Sequence, residues 1–376
     1  MSYGLYIHIP FCRRKCPYCG FASITAGDEM TVRYAEAVAL ELQRRCTGIF
    51  GGYPRSIYIG GGTPSIMPAS CLKTIIERFL PVTDVECTAE ANPESLDDSW
   101  LAGIRELGVN RISIGAQSLD DSILKTLGRI HTSRQARESV RRAHRAGFNA
   151  ISVDLMFGVP GQTMRIWQET LDGVLDLQPD HISCYSLNVE EDTVYFDKVR
   201  NHELFLPDPA AVSEMYVYMT ELLEKNGLLR YEISNFAHPG YECLHNQGYW
   251  DFTPYLGVGA SAHSFDGSTR SWNESSPGIY IERSVTTADT ISGYEVLDGN
   301  KKILELVMLA LRTRDGLSLD RIISLYPAAE EKLRKKIHEL MSGGFLEEYK
   351  KEHVRFTTRG IIISDEIISE IVSEIS

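Results

Sequence analysis

Three cysteines, Cys12, Cys16 and Cys19, stand four and three residues apart in the run Tyr6-Ile-His-Ile-Pro-Phe-Cys-Arg-Arg-Lys-Cys-Pro-Tyr-Cys19. Three thiolates with no fourth cysteine close by can hold three corners of a four-iron cluster and leave one iron open to another ligand. Structural zinc is a competing use of such thiols. It asks for four closed ligands, and the nearest histidine, His8, falls in a strand-like segment. A disulfide suits the triplet poorly, because three is odd and Met1-Ser-Tyr-Gly-Leu5 carries neither a basic nor an apolar signal region. A trio of buried thiols is the remaining alternative, and it leaves Pro10, Pro17 and the aromatic residues of the loop unexplained.

Other residues of chemical interest follow at intervals. Gly60-Gly-Gly-Thr-Pro-Ser65 can bring backbone close to a ligand and adopt positive φ, and its free amides and carbonyls would suit a zwitterion held on the open iron. The run lacks the phosphate-binding spacings, so by itself it could equally be a turn. Glu90 and Asp154 are acceptor-only groups when ionised and suit ribose hydroxyls or an ammonium, or else cap helices. Gln117 and Arg129 are polar groups that can reach the same place, Arg129 with a surface ion pair as its alternative.

The elements that would position these groups alternate along the chain. β-branched runs at 5–9, 56–59, 86–91, 111–115, 150–155 and 181–187 predict strands, and amphipathic stretches at 31–46, 69–79, 101–107, 133–146 and 164–175 predict helices between them. That order specifies parallel strands with right-handed crossovers, in an α/β class. Six units make a partial (β/α)6 barrel, whose chemistry belongs at the C-terminal strand ends. The cysteine loop, the glycine run, Glu90, Gln117 and Asp154 all fall there.

Beyond residue 190 the alternation weakens, giving an expected extension over 191–292 after a barrel over 1–190. From 293 to 376, helices at 301–311, 317–326 and 330–341 precede short strands at 345–349 and 354–357, a small winged-helix-like α+β domain. Its mixed charge argues for a docking or lid role rather than DNA binding.

With 376 residues, 43% hydrophobic and 24% charged, the composition is that of a globular protein with room for one large core and a smaller one. A net charge of -13 argues against nucleic acid as a partner. No apolar run is long enough to span a bilayer, and a cytoplasmic location is expected.

The Cys-x3-Cys-x2-Cys loop followed by Gly-Gly-Gly-Thr-Pro resembles the radical S-adenosylmethionine proteins. There the open iron takes the methionyl amine and carboxylate, and one-electron reduction cleaves the sulfonium to a 5′-deoxyadenosyl radical. Gly108-Val-Asn-Arg-Ile-Ser-Ile-Gly-Ala-Gln-Ser118, Leu127-Gly-Arg-Ile-His-Thr132 and Asp154-Leu-Met-Phe-Gly-Val-Pro-Gly-Gln-Thr163 narrow the resemblance to the HemN/HemW group, over nearly the whole chain. The resemblance implies that Cys12, Cys16 and Cys19 ligate a [4Fe–4S] cluster and that Tyr6 and Tyr18 flank it. It also implies that Gly61 and Glu90 contact S-adenosylmethionine. A second S-adenosylmethionine, as in the oxidase branch, would fall on Gly62, Thr63, Gln117, Arg129 and Asp154.

Two departures separate the chain from the oxygen-independent coproporphyrinogen III oxidases. Phe21 stands where they carry a further cysteine, and strand one begins at residue 5 without their preceding extension. Cys243-Leu-His-Asn-Gln-Gly-Tyr-Trp250 is similar instead to the His-Asn-x2-Tyr-Trp motif of the HemW branch of heme chaperones. His245 would then be an axial heme ligand, with Tyr249 and Trp250 covering the macrocycle. Without the resemblance, the simpler reading is that His245 and Asn246 tie down a loop. The implied partners are heme, acceptor respiratory hemoproteins and an electron donor such as flavodoxin or ferredoxin. Radical decarboxylation of coproporphyrinogen and a two-cofactor methyl transfer are the enzymatic alternatives. Whether turnover occurs, and the oligomeric state, are left open by the sequence, and no residue is assigned as catalytic.

Overall fold

The computed structural model describes residues 2–375. Six strands lie side by side in chain order, all parallel: β1 Gly4–Ile9, β2 Ser56–Gly61, β3 Glu86–Ala91, β4 Arg111–Gln117, β5 Ala150–Phe157 and β6 His181–Ser186. Helices Asp28–Arg45, Ala69–Ile76, Asp98–Glu106, Ser133–Arg145 and Met164–Leu175 fill the crossovers. Each strand sends alternate residues to opposite faces. Leu5, Ile7, Ile57, Ile112, Val153 and Ile182 share one core with Val38, Leu72, Leu101, Val140 and Leu171 of the helices. The other alternation is polar, with Tyr6, His8, Ser56, Tyr58, Glu90, Ser113, Ser152, Asp154 and His181 bonded to one another or to the segments that close the two ends. The aliphatic face carries the stability and the polar face makes the interior of the barrel.

The sheet is open rather than closed. β6 pairs antiparallel with β8 (Asn235–Ala237), which pairs with β7 (Leu229–Arg230). On the other flank β1 pairs in parallel with β9 (Tyr255–Val258), and the sheet runs on antiparallel through β10 (His263–Phe265), β11 (Thr269–Asn273) and β12 (Ile291–Val296), twelve strands in all. Glu41, fully buried on the first crossover helix, ties this flank down. Its carboxylate accepts from Gly259 N, Asn273 Nδ2, Tyr280 Oη and Thr290 Oγ1 at 2.6–2.9 Å, with Arg45 as counter-ion. A buried carboxylate is tolerated only with such complete pairing.

At the C-terminal end, β13 (Leu317–Ser318), β15 (His353–Phe356) and β14 (Leu346–Lys350) form a small antiparallel sheet beside helices Gly299–Leu311 and Glu330–Ser342. A final helix, Ser364–Ile375, packs Ile367, Ile368 and Ile371 into the core. The sequence reading did not anticipate this helix. Among the described residues, no helix is long and apolar enough to cross a membrane.

Candidate functional site

The cysteine loop leaves β1 and is pinned at both ends: Cys12 N donates to Ile24 O at 2.9 Å and Ile24 N to Pro10 O at 2.8 Å. The three thiols are free and half-buried, and they edge a cavity of about 710 Å³ at the C-terminal end of the strands. Donors already point at two of them. Thr63 Oγ1 lies 3.5 Å from Cys12 Sγ, and Arg129 Nη1 lies 3.7 Å from Cys16 Sγ. A hydroxyl and a cation so placed can hydrogen-bond iron-bound sulfurs. No three His, Cys, Asp or Glu side chains among the described residues converge on one point that would hold a single ion. A four-iron cluster asks instead for thiolates on separate irons, which thiols spread around one wall satisfy.

Facing the thiols, two half-buried acids line the same cavity. Glu90 accepts from Tyr58 Oη at 2.8 Å and from Gly61 N at 3.0 Å, and burial pushes its carboxyl up to about 7. Asp154 accepts from Ser113 Oγ at 2.9 and 3.0 Å, and burial raises it as well. Neither has a cation within ion-pairing distance among the described residues. A ligand that brought an ammonium or sulfonium would supply what both lack. The cavity also takes in Tyr18, Gly61, Gly62, Thr63, Gln117 and Arg129, so eleven of the fifteen residues singled out from the sequence come together here. Gln117 does so with a left-handed backbone, φ 63°.

The geometry refines three expectations. The glycine run does not offer free amides: Gly61 N is bound to Glu90 and Gly62 N donates to Ile9 O at 2.7 Å. Its purpose is close approach, since Gly61 sits at φ 111° and a Cβ there would stand 2.6 Å from the His8 ring. Arg129, expected at a second cofactor, lines the cavity but gives Nη1 to Cys16 and Nη2 to Asn92 Oδ1 and Gly115 O, so it also braces the cysteine side, with Nε left unpartnered among the described residues. Gly128 beside it, at φ 69°, lets the chain pass Pro17, which a Cβ would meet at 2.5 Å. Tyr6 does not line the cavity. It lies inside the barrel with its hydroxyl 3.0 Å from His8 Nδ1, and His8 Nε2 is 3.4 Å from Ala22 O in the cysteine loop.

His245, Tyr249 and Trp250 are at the opposite end. They belong to a short helix, Leu244–Trp250, laid across the first residues of β1, β2 and β3. Glu86 accepts from Leu244 N and His245 N at 3.0 Å each, and Arg55 Nη2 donates to Leu244 O at 2.9 Å. The helix is therefore held by the barrel rather than by its own sequence. The His245 imidazole is buried, with Nδ1 3.0 Å from Ser56 Oγ and Nε2 2.9 Å from Tyr249 Oη. It stacks on Tyr58, with ring centroids 5.0 Å apart and planes 27° apart, and Gly4 leaves room for it. Burial lowers its pKa to about 3, so the ring is neutral. Both nitrogens are engaged in this conformation, and Trp250 is half-buried at the end of the helix. The sequence reading missed Tyr58 and Ser113 as members of the site; only their inward alternation on the strands marked them.

Comparison with known proteins places these features. Residues 6–174 match the radical SAM superfamily, and residues 297–363 match the HemN C-terminal domain. The chain is 33% identical to heme chaperone HemW of Mycobacterium tuberculosis, over 97% of this chain and 94% of that one. It is 34% identical to heme chaperone HemW of Lactococcus lactis, over 97% and 96%. The structure of coproporphyrinogen III oxidase (HemN) from Escherichia coli superposes with a TM-score of 0.84 at 21% identity, covering 99% of this chain and 90% of that one. At that identity the likeness speaks for the fold alone.

Proposed function

The chain belongs to the HemW family of radical S-adenosylmethionine proteins, and from that membership we infer that it is a heme chaperone, which binds heme and passes it to acceptor hemoproteins. The observation that carries this reading is the full-length match to heme chaperones, which spans both the cysteine mouth and the base helix. Its cofactors are a [4Fe–4S] cluster and S-adenosylmethionine at the mouth. Bound there, the cluster would supply an open iron site for S-adenosylmethionine and one-electron chemistry.

The remaining work falls to the chain. Cys12, Cys16 and Cys19 hold the cluster, with Arg129 and Thr63 placed to hydrogen-bond the sulfurs of Cys16 and Cys12. Glu90 takes the positive charge of S-adenosylmethionine, while Tyr18 and Gly61 shape its place. Gly62, Thr63, Gln117 and Asp154 leave space for hydroxyl contacts or a second cofactor molecule. His245 is the heme ligand in this reading, with Tyr249 and Trp250 as the apolar cover. It reaches an iron only when Leu244–Trp250 lifts and its bonds to Ser56 and Tyr249 break, so heme uptake is coupled to opening of the base. The acceptors are respiratory hemoproteins, the electron donor is a flavodoxin or ferredoxin, and the compartment is the cytoplasm.

The test is anaerobic. Cluster-loaded protein is titrated with heme by absorption spectroscopy, beside His245→Ala, and coproporphyrinogen decarboxylation is assayed in the same preparation with S-adenosylmethionine and a reductant. Tight binding that His245→Ala weakens at least tenfold, without decarboxylation, supports the chaperone. Decarboxylation with weak, nonspecific heme uptake returns the chain to the oxidase reaction.

A further inference from the structure

One side chain touches both ends of the barrel. The Tyr58 hydroxyl donates to Glu90 Oε1 in the cofactor cavity at 2.8 Å, and the ring of the same residue stacks on His245 at 5.0 Å. Tyr6 completes the stack, 6.2 Å from Tyr58 and 6.3 Å from His245, and is itself tied through His8 to the cysteine loop. No other ring contacts His245 except Tyr249 of its own helix, among the described residues. The imidazole is thus positioned by its stack on Tyr58 together with its bonds to Ser56 and Tyr249, and the Tyr58 ring by the carboxylate above it.

We propose that Tyr58 is a positioning residue through which S-adenosylmethionine, by engaging Glu90, closes the base over His245. The direction follows from charge. A half-neutral carboxyl accepts a phenol hydrogen bond of ordinary strength, whereas one held ionised by a bound cation accepts a charge-assisted bond roughly twice as strong. Binding a cation at Glu90 therefore fixes the Tyr58 ring and, with it, the stack that keeps the His245 nitrogens on Ser56 and Tyr249. The consequence for heme rests on the reading of His245 as the iron ligand: S-adenosylmethionine then favours heme release, and heme weakens S-adenosylmethionine binding by the same factor.

The experiment follows backbone amide exchange of the Leu244–Trp250 peptide by mass spectrometry. Cluster-loaded protein is compared with and without saturating S-adenosylmethionine, for wild type and Tyr58→Phe. The phenylalanine keeps the ring stack and removes only the hydroxyl. Expected is about a fivefold slowing by S-adenosylmethionine in the wild type and almost none in Tyr58→Phe, each compared at a concentration that saturates it. A second variant, Tyr58→Leu, removes the ring and should exchange fast in either condition. Equal slowing in wild type and Tyr58→Phe, or no slowing in the wild type, overturns the proposal. Heme takes no part in this readout. A His245→Ala protein that still binds heme would sink the ligand assignment alone, and the coupling would stand or fall on the exchange ratio.

Discussion

Arg129 reaches across the mouth to Cys16: Nη1 lies 3.7 Å from the sulfur, while Nη2 is held by Asn92 and by the Gly115 carbonyl. A cation fixed in this way can hydrogen-bond the sulfur of an iron-bound cysteine. Arg129→Met is expected to retain the fold and to lose cluster several-fold faster to a chelator, followed by the decay of visible absorbance. Arg129→Lys should restore little, because one ammonium cannot replace the planar fork at all three partners. Wild-type retention in Arg129→Met would remove the residue from the cluster site.

Replacing any one of Cys12, Cys16 or Cys19 by serine should abolish iron and sulfide binding after anaerobic reconstitution. Cys71→Ala, a change in the core under the second crossover helix, should leave both unchanged. Iron retained by a serine variant, or lost in Cys71→Ala, would contradict the assignment.

Glu90 gives a pH signature in protein without cofactors. Its folded pKa is raised to about 7 from 4.5 by burial, so its contribution to stability is complete below pH 4.5 and is lost as pH rises through 7. Glu90→Gln removes the ionisation. Above pH 7 the variant should exceed wild type by up to about 3 kcal/mol, an order-of-magnitude figure, and the gap should close toward pH 4.5. Urea midpoints at pH 5 and 8 measure it. A gap independent of pH would show that Glu90 does not titrate in this range.

His245 works in the opposite sense. Its folded pKa is depressed to about 3 from 6.5, so the stability it contributes is present above 6.5 and falls away as pH drops toward 3. His8, lowered to about 4 by burial, adds to the same limb. His245→Ala leaves a cavity and frees the hydroxyls of Ser56 and Tyr249, which costs about 2–4 kcal/mol at pH 7. Its urea midpoint should then fall less steeply than wild type between pH 6.5 and 4.5. Parallel slopes would place the imidazole in water.

The barrel was legible because its strands carry aliphatic residues on every second position. The run at 86–91 needed no more than Cys87, Ala89 and Ala91 on one face and Glu86, Thr88 and Glu90 on the other. The flank beyond residue 190 was not, since β7, β8 and β10 are two or three residues long and are held by neighbours rather than by pattern. The terminal helix hid behind its isoleucines, which read as β-branched although Ile367, Ile368 and Ile371 recur at helical spacing. Residue types led to the mouth. They could not place His245, because Leu244–Trp250 has no aliphatic stripe and forms only where Glu86 and Arg55 hold it.

The parallel pairing of β1 with β9 sets an order of events during synthesis. Gly4 lies opposite Tyr255 and Ile7 opposite Val258, so β1 keeps one edge bare until about 250 further residues have been made. The intervening strands can assemble against its other edge meanwhile, and a bare strand edge is where chains aggregate. The base helix emerges only a few residues before β9. Covering of β1's bare edge and sealing of the floor are therefore nearly one late step, and a nascent chain arrested before residue 255 would present its cysteines beside an uncovered strand.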